Sequence, residues 1–477
     1  MPNLSPELKP TAGYLPCCIE GPDAWLPKAA YALRMLLLPL GLMPRWVDRA
    51  TLRVLGQGVY YGPESASWPE GVVAIALHER TLTYFSRYQP YKPCQVRWRD
   101  TGAVRWPVLF GSPNGEADDP IASTFFWLSG WQERVIQARD VHGRVRYADS
   151  LQAALGIATQ PPVDATRLAL AIQLVQHGLP VRPRRWQGHR WAFCPTFDID
   201  YVRKWRLGIL RREFFSYLLQ NQLQKSLRER LGRATEVLQF WLGGHDPFRE
   251  ALNRIVDYVQ PLGSATFFLK TGATSAYDVP YRLNRFLQNW LHRLEAAGME
   301  VGLHPSYHAA THPTHLFQEQ KRLSQWCRRS PVSVRTHYLR WIAPATPRLL
   351  AAAGFRIDSS LGWPDHEGFR YGTCMPFQLF DIEANAPLPI WEFPLAVMES
   401  TLFVRRRLTV FEALQATHAL LTACQHYGGV CVALWHNTLW DELDFPGWEI
   451  HFTQTLEQAG VHRAYIVDLR SALARWH

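Results

Sequence analysis

The sequence lacks the features that mark a membrane-spanning or disulfide-bonded protein. The longest apolar stretch near its start, at 36–43, contains Pro39 and Gly41 and falls far short of the roughly 20 residues that span a bilayer. The first ten residues have no basic segment followed by an apolar one, so we expect no secretory signal and a cytoplasmic protein. The eight cysteines show no CxxC spacing, which argues against a structural zinc site or a disulfide framework.

Length and composition predict a globular protein with more than one domain. The chain has 477 residues, of which 47% are hydrophobic and 19% charged, and a chain of this length exceeds one ordinary core. Residues 1–160 mix short β-type runs with helices, contain no catalytic constellation and are predicted to form an accessory α+β domain. A linking helix and a proline-bearing join follow at 161–190, and a second domain occupies 191–477.

The formal charge of +10 is concentrated in one insertion of the second domain, at about 201–245. Between positions 201 and 233 the sequence has nine Lys or Arg and only two Glu. Apolar residues recur every four positions in this segment, at Phe215, Leu219, Leu223, Leu227 and Leu231. This spacing predicts a helix with one buried stripe and a solvated basic face. Docking on an anionic membrane surface or glycan is the alternative. No nucleic-acid-binding module accompanies the basic residues, so we expect no nucleic-acid partner.

From residue 191 onward, β-type runs alternate with amphipathic helical segments. The runs include WAFCPTFD, SATFFL, MEVGLH, VSVRTHY and GVCVALWH, with helices between them. This alternation predicts a parallel α/β architecture, and a barrel is the form we expect, with its functional residues at the C-terminal ends of the strands.

Polar residues with metal and proton-transfer chemistry stand at those strand ends. His304 and His308 are four residues apart, a spacing that puts two imidazoles on one side of a helical turn. Together with Asp198 or Asp200 they can hold a divalent metal of the zinc type, with Co²⁺ as the alternative, and leave a position open for water. The second aspartate is then a general base, and His436 a general acid.

Arg335 adds a cation to this set, which would keep the basic aspartate ionised and oriented. The set predicts metal-assisted hydrolysis of an acyl bond. A two-histidine, one-carboxylate iron oxygenase is the metal alternative. Each motif also has a structural interpretation, because an HxxxH pair is often only polar surface and an aspartate after a strand often caps the next helix.

The ordered series TFD, HxxxH, RxxY and LxH resembles the motif pattern of the polysaccharide deacetylases, the NodB-homology carbohydrate esterases, over roughly 191–477. The whole chain resembles a less characterised bacterial branch of that family. The resemblance implies a deformed (β/α) barrel and hydrolysis of N-acetyl or O-acetyl groups on carbohydrate. It assigns roles by motif: Asp198 as base, Asp200, His304 and His308 as metal ligands, Arg335 as orienter of the base, His436 as acid, and the Tyr338 amide as oxyanion donor.

The sequence departs from that pattern at three places. TFDID separates the two aspartates that are adjacent in the family, so Asp198 and Asp200 could exchange roles. RTHY has His337 where the family has proline. The fourth motif, DSSLGW, offers Asp358 to tune His436, with Asp365 and His366 close enough to compete. Residues implied to wall the pocket for an acetyl methyl are Trp363 and Leu434.

These expectations define a metal-dependent deacetylase that acts on an acetylated sugar, polysaccharide precursor or glycoconjugate. Hydrolysis of a small non-peptide amide on the same fold is the alternative within enzymes. Outside enzymes, the alternative is a carbohydrate-binding protein that has lost turnover, against which the presence of both aspartates and His436 argues.

Overall fold

The computed structural model describes residues 13–63, 67–100, 102, 104–112, 118–206 and 227–476. The first three positions of the predicted insertion stripe, Phe215, Leu219 and Leu223, lie outside the described residues. The C-terminal part of the insertion forms the helix Leu227–Gly243. In the described part of the chain, no helix is both long enough and apolar enough to cross a membrane.

The N-terminal part is built on a four-stranded sheet that is parallel throughout. Its strands are β1 (Gly13–Ile19), β2 (Leu42–Trp46), β3 (Gln57–Gly62) and β4 (Gly71–Ala76), in the order β2-β1-β3-β4. A hairpin of β5 (Arg97–Asp100) and β6 (Arg105–Val108) follows. Helices in this part span Leu26–Leu37, Arg49–Leu55, Glu79–Phe85, Pro120–Leu128, Trp131–Val135, Leu151–Leu155 and Pro162–Gln176.

The second part carries a ten-stranded sheet whose strands alternate with helices. The strands are β7 (Ala192–Ile199), β8 (Thr266–Leu269), β9 (Glu300–Leu303), β10 (Ser333–Val334), β11 (Ile357–Asp358), β12 (Phe377–Asp381), β13 (Ala386–Glu392), β14 (Leu395–Met398), β15 (Val430–His436) and β16 (Tyr465–Ile466). Helices of this part, after the insertion helix, span Pro247–Val259, Arg285–Ala296, Pro313–Trp326, Ala345–Ala352, Val410–Tyr427, Trp448–Val461 and Leu469–Trp476.

The large sheet curls into a nearly closed barrel. Its order runs β12-β13-β11-β10-β9-β8-β7-β15-β14, with β16 beside β7. Glu392 at the end of β13 pairs with Asp358 on one side of the sheet, whereas Leu395 at the start of β14 pairs with Val432 on the other. Only Phe393 and Pro394 separate these two strands, so the opposite sides of the sheet must approach within a few residue lengths. The predicted α/β class with a curled barrel sheet is thereby confirmed.

Parallel strands direct their C-terminal ends to one edge of this sheet. Every residue of β7 is buried, as expected of a central strand covered on both faces. Asp198 in β7 pairs with Phe268 of β8 and with His436 at the end of β15. His304 directly follows β9 and Arg335 directly follows β10. Four of the polar residues identified in the sequence, Asp198, His304, Arg335 and His436, therefore lie at this edge.

The N-terminal part packs firmly on the barrel. One hydrophobic core contains buried side chains from both, from Leu15 to Trp476. At the junction the Arg370 guanidinium binds both carboxylate oxygens of Glu133, at 2.6 and 2.8 Å, and both residues are buried. Gln152 donates to the backbone carbonyl of Arg370 at 2.7 Å, so the ion pair belongs to a larger buried network.

Loss of this buried ion pair is expected to destabilise the whole protein. Glu133→Gln leaves the Arg370 charge buried without its counter-ion, which typically costs about 3–5 kcal/mol of unfolding free energy. Glu383→Gln is the matched control, because Glu383 makes only partly exposed ion pairs with Arg134 and Arg348, worth about 0–1 kcal/mol. Urea unfolding of the three proteins, followed by tryptophan fluorescence, measures the difference. Equal midpoints for both variants would contradict it.

Candidate metal centre and active site

A cavity of about 460 Å³ lies at the C-terminal edge of the barrel. Its polar lining includes four residues at strand ends, Asp198, Asp200, His304 and His436. Its apolar lining includes Leu434 of β15 and, further along the chain, Phe445 and Trp448. Small-molecule sites typically measure about 300–1,000 Å³, so the cavity has room for a small ligand.

Three side chains in this cavity converge as metal ligands would. Asp200, His304 and His337 each offer one donor atom, and these atoms all lie within 4.8 Å of one another. The Nε2 atoms of His304 and His337 lie 3.6 and 3.4 Å from Oδ1 of Asp200. Tetrahedral zinc ligands at about 2.0–2.2 Å from the ion are roughly 3.4 Å apart, so the spacing fits such an ion.

Hydrogen bonds to the other ring nitrogens fix both imidazoles. Nδ1 of His304 lies 2.7 Å from the backbone carbonyl of Arg335, which can only accept, so Nδ1 carries the proton. Nδ1 of His337 lies 2.8 Å from Oδ1 of Asp278. Both rings therefore present an Nε2 lone pair to the same point, which is the arrangement by which proteins orient metal-binding histidines.

Burial favours the neutral form of His337, and hydrogen bonds hold its acidic partner Asp278 ionised. Burial lowers the pKa of His337, and the neighbouring His304 and Lys270 act in the same direction against Asp200 and Asp278. Burial alone would raise the pKa of Asp278, but hydrogen bonds from His337 and from the backbone of Thr274 and Tyr307 hold it well below its usual range. A neutral imidazole is the form that binds a metal.

Asp200 is the carboxylate of the group, and it lies next to a buried lysine. Lys270 Nζ lies 2.9 Å from Oδ1 of Asp200. Burial alone would raise the pKa of Asp200, but Lys270 and the two imidazoles outweigh it and hold the pKa well below its usual range. The same Oδ1 accepts no hydrogen bond of acceptable geometry from the described residues. A buried, ionised oxygen without such a donor is suited to a cation.

Asp198 lies beside this group and is held by Arg335. The guanidinium, itself fully buried, donates to Oδ1 of Asp198 at 3.2 Å and to Thr196 Oγ1 at 2.7 Å. Its remaining bonds go to the carbonyl and hydroxyl of Ser359. Oδ2 of Asp198 is 3.6 Å from His304 Nε2. Arg335 thus fixes one oxygen of the carboxylate and leaves the other near Nε2 of His304.

His436 enters from the end of β15 and is paired with Glu399. Its Nδ1 lies 2.6 Å from Glu399 Oε1, which also accepts from the His436 backbone N–H at 2.7 Å. Burial alone would lower the pKa of His436, but the carboxylates of Glu399, Asp200 and Asp198 outweigh it and raise it to about 10. Nε2 lies 3.7 Å from Asp200 Oδ2. A protonated imidazole is thus directed at the centre of the cavity.

Tyr338 follows the candidate ligand His337 and has an unusual backbone conformation. Its φ of 62° and that of Leu339, 51°, are both in the left-handed region, which costs free energy for residues with side chains. Arg144 stabilises the turn by donating to the Tyr338 carbonyl. The Tyr338 ring contacts those of His142 and Tyr277, and the residue lines the cavity.

Several residues predicted from the sequence lie elsewhere. His308 is outside the cavity lining and beyond the ligand group, with its ring against Tyr307 and His312. Asp358 accepts from Ser360, and the carboxylate that hydrogen-bonds to His436 is that of Glu399.

The remaining predicted residues are divided between the cavity and its surroundings. Leu434 lines the cavity, whereas Trp363 is buried against Tyr147 and Arg370. Asp365 accepts from the Tyr147 backbone, and the His366 ring lies on that of Tyr147. Asp365 and His366, the alternatives to Asp358 in the fourth motif, therefore contact the N-terminal part of the chain.

Other residues of the site have no role predicted from the sequence. In the sequence, His337 stands out only as a departure from a motif, and Glu399 belongs to none of the four motifs. Lys270 directly follows β8, so its position at a strand end was the available signal. Arg144 and Arg405 line the cavity without any local motif that predicts it.

Comparison with known proteins identifies a family for one segment only. Residues 73–178 match a family of unknown function, DUF7033. No curated protein matches the sequence.

Solved structures similar to this chain include polysaccharide deacetylase folds. A protein from Mycobacterium smegmatis described as a "putative polysaccharide deacetylase" is 18% identical, with 62% of this chain and 94% of that chain covered and a TM-score of 0.38. BA3943 from Bacillus anthracis, a CE4 family pseudoenzyme, is 9% identical over 61% and 66% of the two chains, with a TM-score of 0.32. Peptidoglycan deacetylase PdaC from Bacillus subtilis is 11% identical over 60% and 91%, with a TM-score of 0.30. Residue roles in this chain rest on the geometry of its own cavity.

Proposed function

We propose that the protein is a metal-dependent hydrolase that removes an acetyl group from an N-acetylated or O-acetylated sugar or glycoconjugate. The observation that carries the proposal is that the Asp198 carboxylate and the His436 imidazole lie beside the three candidate metal ligands Asp200, His304 and His337. Zn²⁺ is the metal we propose, with Co²⁺ as a substitute, because two imidazoles and one carboxylate are a hydrolytic zinc ligand set. Such a metal supplies a Lewis acid that polarises the acyl oxygen and acidifies water.

The protein side chains account for the proton transfers. Asp198, fixed on one oxygen by Arg335, accepts the proton of the attacking water on the other. His436 then donates its Nε2 proton to the departing nitrogen or oxygen of the sugar, and Glu399 stabilises its charged form. The resemblance to polysaccharide deacetylases implies that the Tyr338 N–H stabilises the developing negative charge on the acyl oxygen, and Tyr338 lines the cavity.

The test combines metal analysis with acetate release from a panel of N-acetylated and O-acetylated sugars. We expect Asp198→Asn to keep its metal and to lose acetate release by at least about 100-fold, because it removes only the base. His304→Ala is expected to lose both. Metal binding by the wild-type protein without acetate release from any sugar would contradict the proposal and favour a small amide substrate or a binding role.

A further inference from the structure

A turn of the N-terminal part, residues 140–147, forms part of the cavity wall. It lies within the segment that matches DUF7033. Nδ1 of His142 hydrogen-bonds to the hydroxyl of Tyr307 at 3.0 Å, and Arg144 donates to the Tyr338 carbonyl. Arg144 is itself among the cavity residues. The N-terminal part therefore contributes a side chain to the same cavity that holds the metal ligands.

Arg144 is fixed by its own turn. Oδ1 of Asp140 accepts from the backbone N–H groups of His142 and Arg144, and Oδ2 lies 2.8 Å from Nε of Arg144 and 2.7 Å from its NH2 nitrogen. With the bond to Tyr338, these contacts occupy three of the five N–H groups of a guanidinium. Two N–H groups remain for another acceptor, on a side chain that is only 7% exposed.

Arg405 lines the same cavity. It ends the π-helical turn Thr401–Arg405, a rare conformation that often occurs at functional sites, and its side chain is exposed. No carboxylate of the described residues lies within ion-pair distance of it, although the neighbouring Arg406 pairs with Glu367. Burial lowers the pKa of Arg144 against the opposing effect of Asp140, and the charges of Arg370 and then Arg405 act in the same direction as burial.

The other charges in the cavity are already balanced. Asp198 pairs with Arg335, Asp200 with Lys270, and His436 with Glu399. Arg144 is neutralised by Asp140. Arg405 therefore supplies a positive charge without a partner among the described cavity residues, and a bound divalent metal would add to it.

We infer that the substrate carries an anionic group, a carboxylate or a phosphate, in addition to its acetyl group, and that Arg405 and the free N–H groups of Arg144 bind it. This deepens the proposed function and rests on it for the acetyl group alone. Guanidinium groups bind carboxylate and phosphate by charge-assisted, often paired hydrogen bonds. The inference gives the segment that matches a family of unknown function a role in substrate selection.

Binding of three sugars to the zinc-loaded full-length protein tests this inference. N-acetylglucosamine is neutral, N-acetylmuramic acid adds a carboxylate, and N-acetylglucosamine 6-phosphate adds a phosphate. Calorimetry is expected to show at least about tenfold tighter binding of one anionic sugar than of the neutral one, the size expected of a charge-assisted contact. The anionic sugar that binds more tightly identifies the group. Equal affinity for all three would overturn the inference.

Variants separate the arginine site from direct binding of the anion to the metal. Arg405→Gln is expected to reduce the preference to within about threefold, and Arg144→Gln to reduce it as well, with thermal unfolding as the check that each variant folds. Arg407→Gln is the matched control, because Arg407 is exposed, lies outside the cavity lining and carries the same charge in the same segment. A preference that survives Arg405→Gln unchanged would overturn the inference and assign the anion to the metal.

Acetate release by the same samples distinguishes failure of this inference from failure of the proposed function. A preference for the anionic sugar that depends on Arg405, without acetate release from any sugar, supports the anion site and overturns the proposed hydrolysis. Equal release from neutral and anionic sugars, with equal affinities, supports the proposed hydrolysis and overturns the anion site.

Discussion

His337→Ala is expected to weaken zinc binding by more than about 100-fold, whereas His308→Ala leaves it within about threefold. The reason is that Nε2 of His337 lies 3.4 Å from Asp200 Oδ1 and its tautomer is fixed by Asp278, whereas His308 is outside the ligand group. Loss of an outer partner alone typically costs 10–100-fold in metal affinity, so loss of a ligand should cost more. Competition with a chromophoric chelator measures both affinities.

His308→Ala is the matched control for His337→Ala, because both variants replace a histidine by alanine in the same protein. His337→Gln serves as a second substitution, since glutamine retains a polar side chain in the buried site, and thermal unfolding without metal shows whether either variant has lost its fold. The opposite result, with zinc lost in His308→Ala and kept in His337→Ala, would identify His308 and not His337 as the metal ligand.

Glu399→Gln is expected to lower kcat/KM for acetate release by about 10²–10³-fold without loss of metal. Its carboxylate is the largest influence that raises the pKa of His436, and glutamine removes that charge while keeping the size of the side chain. An acid that no longer holds its proton loses a contribution that is typically about 10²–10⁴-fold. Steady-state kinetics and metal analysis of the same preparation measure the two quantities.

A double-mutant cycle with His436→Gln shows whether Glu399 acts through that histidine. Residues that act as one unit are strongly non-additive, so Glu399→Gln should cause little further loss once His436 has been replaced. Asp358→Asn is the comparison for the fourth-motif prediction. Because Asp358 contacts Ser360 and not His436, we expect a smaller loss of activity than in Glu399→Gln. Additive losses would contradict the proposed pairing.

Strand-end residues of the cavity could be predicted from the sequence because parallel strands collect their C-terminal ends at one edge. Asp198, Asp200, His304, Arg335 and His436 each follow or end an apolar run, and the structure brings all five into one neighbourhood. The alternation of strands and helices likewise predicted the α/β class. Both predictions depend on local pattern, which the sequence displays directly.

His337 could not be predicted as a candidate ligand, because the HxxxH spacing indicates His304 and His308 and holds only for a helix. His304 follows the strand Glu300–Leu303, Pro305 comes next, and the short helical turn Ala309–Thr311 begins only after His308. Two imidazoles four residues apart share a side only on a helical turn, so His308 has no reason to follow His304 into the cavity. His337 reaches it because the chain turns sharply after Arg335.

Glu399 and Arg144 escaped prediction because their positions depend on contacts that are distant in sequence. Glu399 directly follows β14, and the position of β14 in the sheet is set by its pairing with β15. Arg144 reaches the cavity because the N-terminal part packs on the barrel through the buried Glu133 and Arg370 pair. No periodicity within either segment encodes that contact.

The pairing of β7 with β15 also has a consequence for synthesis on the ribosome. Thr196 in β7 donates to the carbonyl of Ala433 in β15, 237 positions later. At about 5–20 residues per second, that edge of β7 would wait on the order of 10–50 seconds for its partner. An unpaired edge of an apolar strand can pair with another chain, so the strand that carries Asp198 is open to such pairing until β15 has been synthesised.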